Sequence, residues 1–180
     1  MKLNPISRRA AIMAMAMFLC TASLCEAATY YVNAALGNDA NSGTSRQSPF
    51  RTLERASALS LKPGDQVLLA AGQKFAGELA YEGLAGDAGH PIVISSYLTA
   101  APGGEDRATI DAKGCLAGVC LKNCAHVEIG NLVITANAGG IKSEPAAKQG
   151  MRCGMLIEAD EPGKYEGFSV TNVVVKDVFF

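Results

Sequence analysis

Short apolar runs separated by polar or glycine residues recur along most of the chain. Thr29 to Asn33 is β-branched and aromatic and predicts a first strand. Gln66 to Ala70, Ile92-Val93-Ile94 and Ala108 to Asp111 predict further strands. Val119-Cys120-Leu121, Val127-Glu128-Ile129 and Leu132-Val133-Ile134 follow, split by one or a few polar or glycine residues. Met155-Leu156-Ile157, Phe168-Ser169-Val170 and Val173-Val174-Val175 continue the pattern. One stretch has a different period. Phe50, Leu53, Ala56 and Leu59 lie three residues apart, the apolar stripe of a helix. Ser48 supplies a cap for that helix and Pro49 suits its first turn. Lys62-Pro63-Gly64-Asp65 ends it, with Pro and Gly placed for a type II turn.

The apolar runs repeat in order. Gly118-Val119-Cys120-Leu121 matches Gly154-Met155-Leu156-Ile157, and Val127 to Ile134 matches Phe168 to Val175. Coil starts are placed at Val67, Val93, Cys120 and Leu156, and the extra length of the last coil is assigned to a loop around Asp160 to Tyr165. A coil this narrow cannot bury its own apolar face, so stacking of parallel strands is expected. Asn131 and Asn172 would then lie one above the other at a sharp turn. There an amide can bond its neighbour and tolerate a left-handed backbone. The fold class expected is all-β, a right-handed parallel β-helix or solenoid with an N-terminal capping α-helix.

The first residues belong to targeting rather than to the fold. Lys2, Arg8 and Arg9 precede an apolar stretch from Ala10 to Leu24, and Cys25-Glu26-Ala27 offers small residues for cleavage after Ala27. The stretch is shorter than the ~20 residues that cross a bilayer, which disfavours a retained anchor. Ser7-Arg8-Arg9 hints at twin-arginine export, and Leu before both Cys20 and Cys25 argues against a lipoprotein box. The expected division is residues 1–27 as signal peptide, 28–65 as strand, loop and capping helix, and 66–180 as the first coils. A secreted or periplasmic protein is expected, with no membrane span once the signal is removed.

Composition narrows the partners. The formal net charge of −1 draws the chain toward neither nucleic acid nor anionic lipid. Trp is absent and aromatics make up 6%, which is unusual for a sugar cleft built on aromatic faces. Outside the leader, Cys115, Cys120, Cys124 and Cys153 remain. An even number in an oxidising compartment predicts two disulfides, and the spacing does not choose the pairing. A zinc site is the rival, but no close Cys pair or His at ligand spacing supports it.

Gly37-Asn38-Asp39-Ala40-Asn41-Ser42-Gly43-Thr44 is built of turn formers. It reads as a self-bonded loop. A calcium loop is the alternative, short of carboxylates. Glu158, Asp160 and Glu161 form an acidic cluster that reads as a solvated loop, with weak calcium binding as the alternative. Lys122 and Glu158 should pair as a surface ion pair one coil apart. His90 and His126 stand alone and read as structural. There is no nucleophile elbow, phosphate loop or metalloprotease helix.

Several of these motifs together are familiar. Tyr31-Val32, Gly37-x-Asp39, Ser42-Gly43-Thr44, Ser48-Pro49-Phe50-x-Thr52-Leu53, Lys62-Pro63-Gly64-Asp65-x-Val67 and Gly72-x-x-Phe75 resemble the opening module of exported bacterial right-handed β-helix proteins. Gly86-x-x-Gly89-x-Pro91-Ile92-x-Ile94 and Ala108-Thr109-Ile110-Asp111 extend the resemblance to polysaccharide lyases of the chondroitinase B and alginate lyase type. The resemblance implies a lyase on acidic, uronate-containing polysaccharide, or a non-enzymatic glycan-binding module on the same fold. It implies a Lys or Arg base and Ca²⁺ or Arg to neutralise the uronate, with Ca²⁺ belonging to the full-length relative. Lys122, Lys142, Arg152 and Lys176 are the basic candidates, with Glu128 and Glu158 as metal ligands. None matches a lyase motif, so the catalytic and metal residues stay unassigned. The apolar run at Val173 to Phe180 has no cap after it, so a fragment truncated at its C-terminal end, without a complete catalytic centre, is expected.

Overall fold

The computed structural model describes residues 26–99, 106–136 and 152–178. The leader through Cys25 and candidate Lys142 lie outside these. The described chain is mostly β, in two parallel sheets curled around one core. Ten strands run in order: β1 (Thr29–Val32), β2 (Gln66–Ala70), β3 (Lys74–Ala76), β4 (Leu79–Glu82), β5 (Ile92–Tyr97), β6 (Ala108–Asp111), β7 (Ala117–Lys122), β8 (Val127–Thr135), β9 (Cys153–Glu158) and β10 (Ser169–Lys176). A single helical turn, α1 (Leu53–Ser57), follows β1.

The strands form three parallel ladders, and the chain visits the ladders in turn. The first runs β1-β2-β5-β8-β10, stacking Val67, Ile94, Ile129 and Val170. The second runs β3-β6-β8 and stacks Phe75, Ile110 and Ile134. The third runs β4-β7-β9 and stacks Tyr81, Leu121 and Ile157. Val67, Ile94, Ile110, Ile134 and Leu121 are fully buried. Each such side chain contributes about 1.5–3 kcal/mol relative to leaving it in water.

The two repeat matches hold residue for residue. Val119, Cys120 and Leu121 pair with Met155, Leu156 and Ile157, and Ile129 and Ile134 pair with Val170 and Val175. Asn131 and Asn172 both adopt left-handed φ, 54° and 51°. Asn172 Nδ2 donates to Asn131 Oδ1 at 2.8 Å, and Asn131 Nδ2 donates to Ser95 Oγ at 3.1 Å. The coil starts are corrected. Val67 stacks on Ile94 rather than Val93, and Cys120 lies in the third ladder between Ala80 and Leu156. Each coil contributes a short apolar run to every ladder, so matching by run alone confuses one ladder with another.

The capping helix expected from Ser48 is not there. Phe50 N donates to Tyr31 O at 2.9 Å, Asn33 N donates to Phe50 O at 2.8 Å, and Phe50 bridges Val32 in parallel. A backbone that spends its donor and acceptor on β1 cannot also start a helix. Thr52 is the actual cap, its Oγ1 accepting from Arg55 N at 3.1 Å. The turn after α1 is as expected: Asp65 N donates to Lys62 O at 3.0 Å, and Gly64 takes φ +87°.

The two disulfides are also corrected. Cys115, Cys120, Cys124 and Cys153 are free thiols. In-register stacking is the reason. Cys153 pairs with Ala117, and Cys120 pairs with Ala80 and Leu156, so no rung brings two cysteines together. Cys124 is buried with its Sγ directed at Lys122 O, 3.2 Å away.

Candidate functional site

The third ladder carries a cluster of charged and polar side chains. On a strand, alternate residues face opposite ways. Tyr81 and Leu121 point into the core, so Glu82 and Lys122 point out. Glu82, Lys122 and Glu158 occupy successive rungs. Lys122 Nζ lies 2.7 Å from Asp160 Oδ2 and 3.4 Å from Glu82 Oε1. Asn123 Nδ2 donates to Asp160 Oδ1 at 2.8 Å, and Asp160 N donates back to Asn123 Oδ1 at 3.1 Å. Lys122 and Glu158 therefore stack as expected, but Asp160 and Glu82 take the ion pair.

The electrostatics follow from this geometry. The Lys122 hydrogen bond, then that of Asn123, holds the Asp160 carboxyl below its ordinary value. The bond from Asp160 and its charge, then those of Glu82, raise the Lys122 ammonium. Asp160 and Lys122 are thus both charged at neutral pH. Glu78, the residue before β4, differs: burial raises its carboxyl, against a bond from the Ala117 amide. Glycoside hydrolysis needs one carboxyl that keeps its proton beside one that does not. Glu78 and Asp160 sit on different rungs at opposite ends of the ladder and do not form such a pair.

A groove of about 310 Å³ opens beside Glu82. Ser57, Leu59, Ser60 and Leu61 form one wall, and Ala80 to Leu84 form the other. Ser57 Oγ accepts from Ala80 N at 3.0 Å, joining the end of α1 to β4. Tyr81 forms the floor, its hydroxyl donating to Ala56 O at 2.9 Å. Burial pushes that hydroxyl's pKa far up, so it stays protonated.

The remaining candidates are dispersed. Asp39 is spent locally: Oδ1 accepts from Arg51 N at 2.8 Å and Thr52 N at 3.0 Å, and Oδ2 accepts from Thr52 Oγ1 at 2.9 Å. Burial opposes ionisation, but those bonds win and lower its pKa. The loop is self-bonded. Arg152 Nη1 bonds Gly114 O and Cys115 O. Glu128 and Lys176 are exposed on β8 and β10, and Glu161 lies exposed in the bend after β9. His90 Nδ1 lies 3.1 Å from Asp87 in a tight turn. His126 takes φ 52° against Gly167. Among the described residues no three His, Cys, Asp or Glu side chains converge as a metal site. Sequence reasoning missed Glu82, Asn123 and the serines of the groove. Placing Ala80 rather than Val93 beneath Cys120 would have exposed the Glu82–Lys122–Glu158 rung.

The chain matches no protein-family model. It is 28% identical over 190 residues to a lacto-N-biosidase of Bifidobacterium longum subsp. longum, covering 83% of this chain and 12% of that protein. Its structure is similar to that of a GH136 lacto-N-biosidase from Eubacterium ramulus, solved as native and selenomethionine protein. The TM-score is 0.70 for both, at 25% and 26% identity, covering 83% and 84% of this chain and 27% of that one. This chain therefore spans about an eighth of the curated relative and about a quarter of the solved one. These relatives are glycosidases, which overturns the lyase resemblance and the acidic glycan that came with it. The motifs behind that resemblance include the Asp39 clasp and the Pro63-Gly64 turn, which shape backbone rather than chemistry. Enzymes of different reaction classes can share such motifs.

Proposed function

We propose that this chain works in an exported carbohydrate-active protein of glycoside hydrolase type. Its ladders are read as the opening of a right-handed parallel β-helix, with the Phe50 bridge covering β1. The observation that carries the reading is the likeness to lacto-N-biosidases over most of the chain, in sequence and in structure. The substrate class is a neutral oligosaccharide of the lacto-N-biose kind, and the compartment is periplasmic or extracellular.

The role assigned to the described residues is to hold sugar. Ser57, Ser60 and Glu82 bring hydroxyls and a carboxylate to one groove, and Lys122 and Asp160 extend it with fixed charges. Such groups bond sugar hydroxyls without aromatic stacking, which suits a chain without Trp. Because Lys122 keeps Asp160 ionised, the cluster favours binding over acid catalysis.

The test is incubation of the purified chain with a chromogenic lacto-N-bioside and, separately, with alginate and chondroitin sulfate. Saturable binding of the disaccharide without its cleavage is the expected result. Unsaturated uronate product from either acidic glycan would overturn the reading.

A further inference from the structure

Among the described residues two carboxylates are buried, Asp65 at 3% exposure and Asp111 at 6%. A buried charge is costly unless a counter-charge meets it. Asp111 has one: Lys74 Nζ lies 2.7 Å from its Oδ2. No ion pair reaches Asp65 among the described residues. Main-chain amides hold its two oxygens instead. Lys62 N donates to Oδ2 at 2.9 Å, and Ala28 N donates to Oδ1 at 2.7 Å. Ala28 is the residue that follows the cleavage site read from the sequence, where Cys25 and Ala27 are the small residues a signal peptidase requires. The fold fixes Ala28 from both sides, since its O also accepts from Gln66 N at 2.8 Å. Thr29 then opens β1. Glu26 and Ala27 are exposed, and Ala27 lies over the Pro63-Gly64 turn: a Cβ on Gly64 would stand 3.0 Å from Ala27 Cβ.

We propose that the bond between Ala27 and Ala28 is a processing site whose cleavage turns this amide contact into an ion pair, with Asp65 receiving the new α-ammonium. The reaction is hydrolysis by a leader peptidase. Water gives its hydroxyl to the Ala27 carbonyl and a proton to the Ala28 nitrogen as the C–N bond breaks. At neutral pH the new carboxyl then passes its proton to the amine. The leader leaves as a carboxylate, and the chain begins with an ammonium. That ammonium stands where the amide stood, 2.7 Å from Asp65 Oδ1. A charged donor makes a stronger bond than a neutral one, and here it also supplies the counter-charge that Asp65 lacks. Because Asp65 precedes β2 and Ala28 precedes β1, the pair ties the first two strands of the first ladder together.

The position of the cut is then specified by the fold as well as by the peptidase. A chain that begins at Ala27 presents Asp65 with an amide, and one that begins at Thr29 presents it with nothing. The other charged residues near this corner are Lys62 in the same turn and His90, whose O accepts from Gly64 N and whose ring faces Asp87. Asp65 is the carboxylate that Ala28 N touches. The inference rests on the export part of the proposed function and is independent of the sugar.

The test starts from the full chain, leader included, in an exporting bacterial host. The intact mass of the exported product is expected to place its first residue at Ala28. A product that starts elsewhere, or keeps its leader, overturns the export reading and this inference with it. In the Ala28 product the amines are methylated with carbon-13 formaldehyde, and the α-dimethylamine resonance is followed against pH. The folded chain should titrate about one pH unit or more above the same chain unfolded in urea, whose α-amine titrates near pH 8. Asp65→Asn should erase that difference, and the urea-unfolded reference serves even where the variant does not fold. A product extended by Ala27, released from a cleavable tag, should show a folding equilibrium constant about tenfold smaller at pH 7. The gain from the pair is complete below the unfolded value, so the two products should converge as pH rises through the folded one. Equal titration of folded and unfolded chain, or equal stability of the two products at pH 7, would overturn the ion pair and leave export standing.

Discussion

At Asn131 three demands meet at one corner: a left-handed backbone, a donor for the rung below and an acceptor for the rung above. Asparagine meets all three. Asn131→Gly keeps the backbone and loses the amide, so it should cost about 1 kcal/mol in urea unfolding. Asn131→Ala adds the left-handed penalty and should cost about 1–2 kcal/mol more. Equal losses would mean that the amide, not the backbone, matters. Gly118→Ala should cost about 1–3 kcal/mol by forcing Cβ onto Ile134. The asparagine corner was legible in sequence because side-chain chemistry and backbone preference point the same way. The thiols were not, because cysteine count reports compartment while pairing depends on register.

The α1 element shows how a local signal loses to a distant one. Ser48-Pro49 is a sound helix start, but the strand bond from Phe50 to β1 arises from residues far away in sequence. The helix therefore begins later, at the Thr52 cap clasped by Asp39. Thr52→Ala should cost about 1 kcal/mol in thermal or urea unfolding. Asp39 has a lowered pKa in the folded chain. Its stabilisation is complete above the unfolded carboxyl value, about 4, and is lost as pH falls through the lower folded value. Asp39→Asn should therefore flatten the stability profile below about pH 4 and leave its shape at neutral pH unchanged.

Across the whole molecule, parallel stacking and the two longest repeat matches were readable from the sequence, because stacked rungs must repeat their apolar order. The assignment of runs to ladders was not, since three ladders draw on the same few residue types. The groove was equally hidden: Ser57 and Ser60 come from the end of α1 and the segment after it, Glu82 comes from β4, and the Ala80–Ser57 and Tyr81–Ala56 bonds bring them together. Within that site, Lys122→Met should leave melting close to that of the parent, since the pair it breaks is solvated. It should weaken sugar binding several-fold, measured by calorimetry. If the groove takes a neutral sugar, as proposed, amide chemical shifts on adding lacto-N-biose show it most directly. Saturable shifts are expected at Ser57, Ser60, Glu82 and Gly83, reduced by Glu82→Gln. Unmoved amides with lacto-N-biose, alongside saturable shifts with an oligouronate, would contradict it.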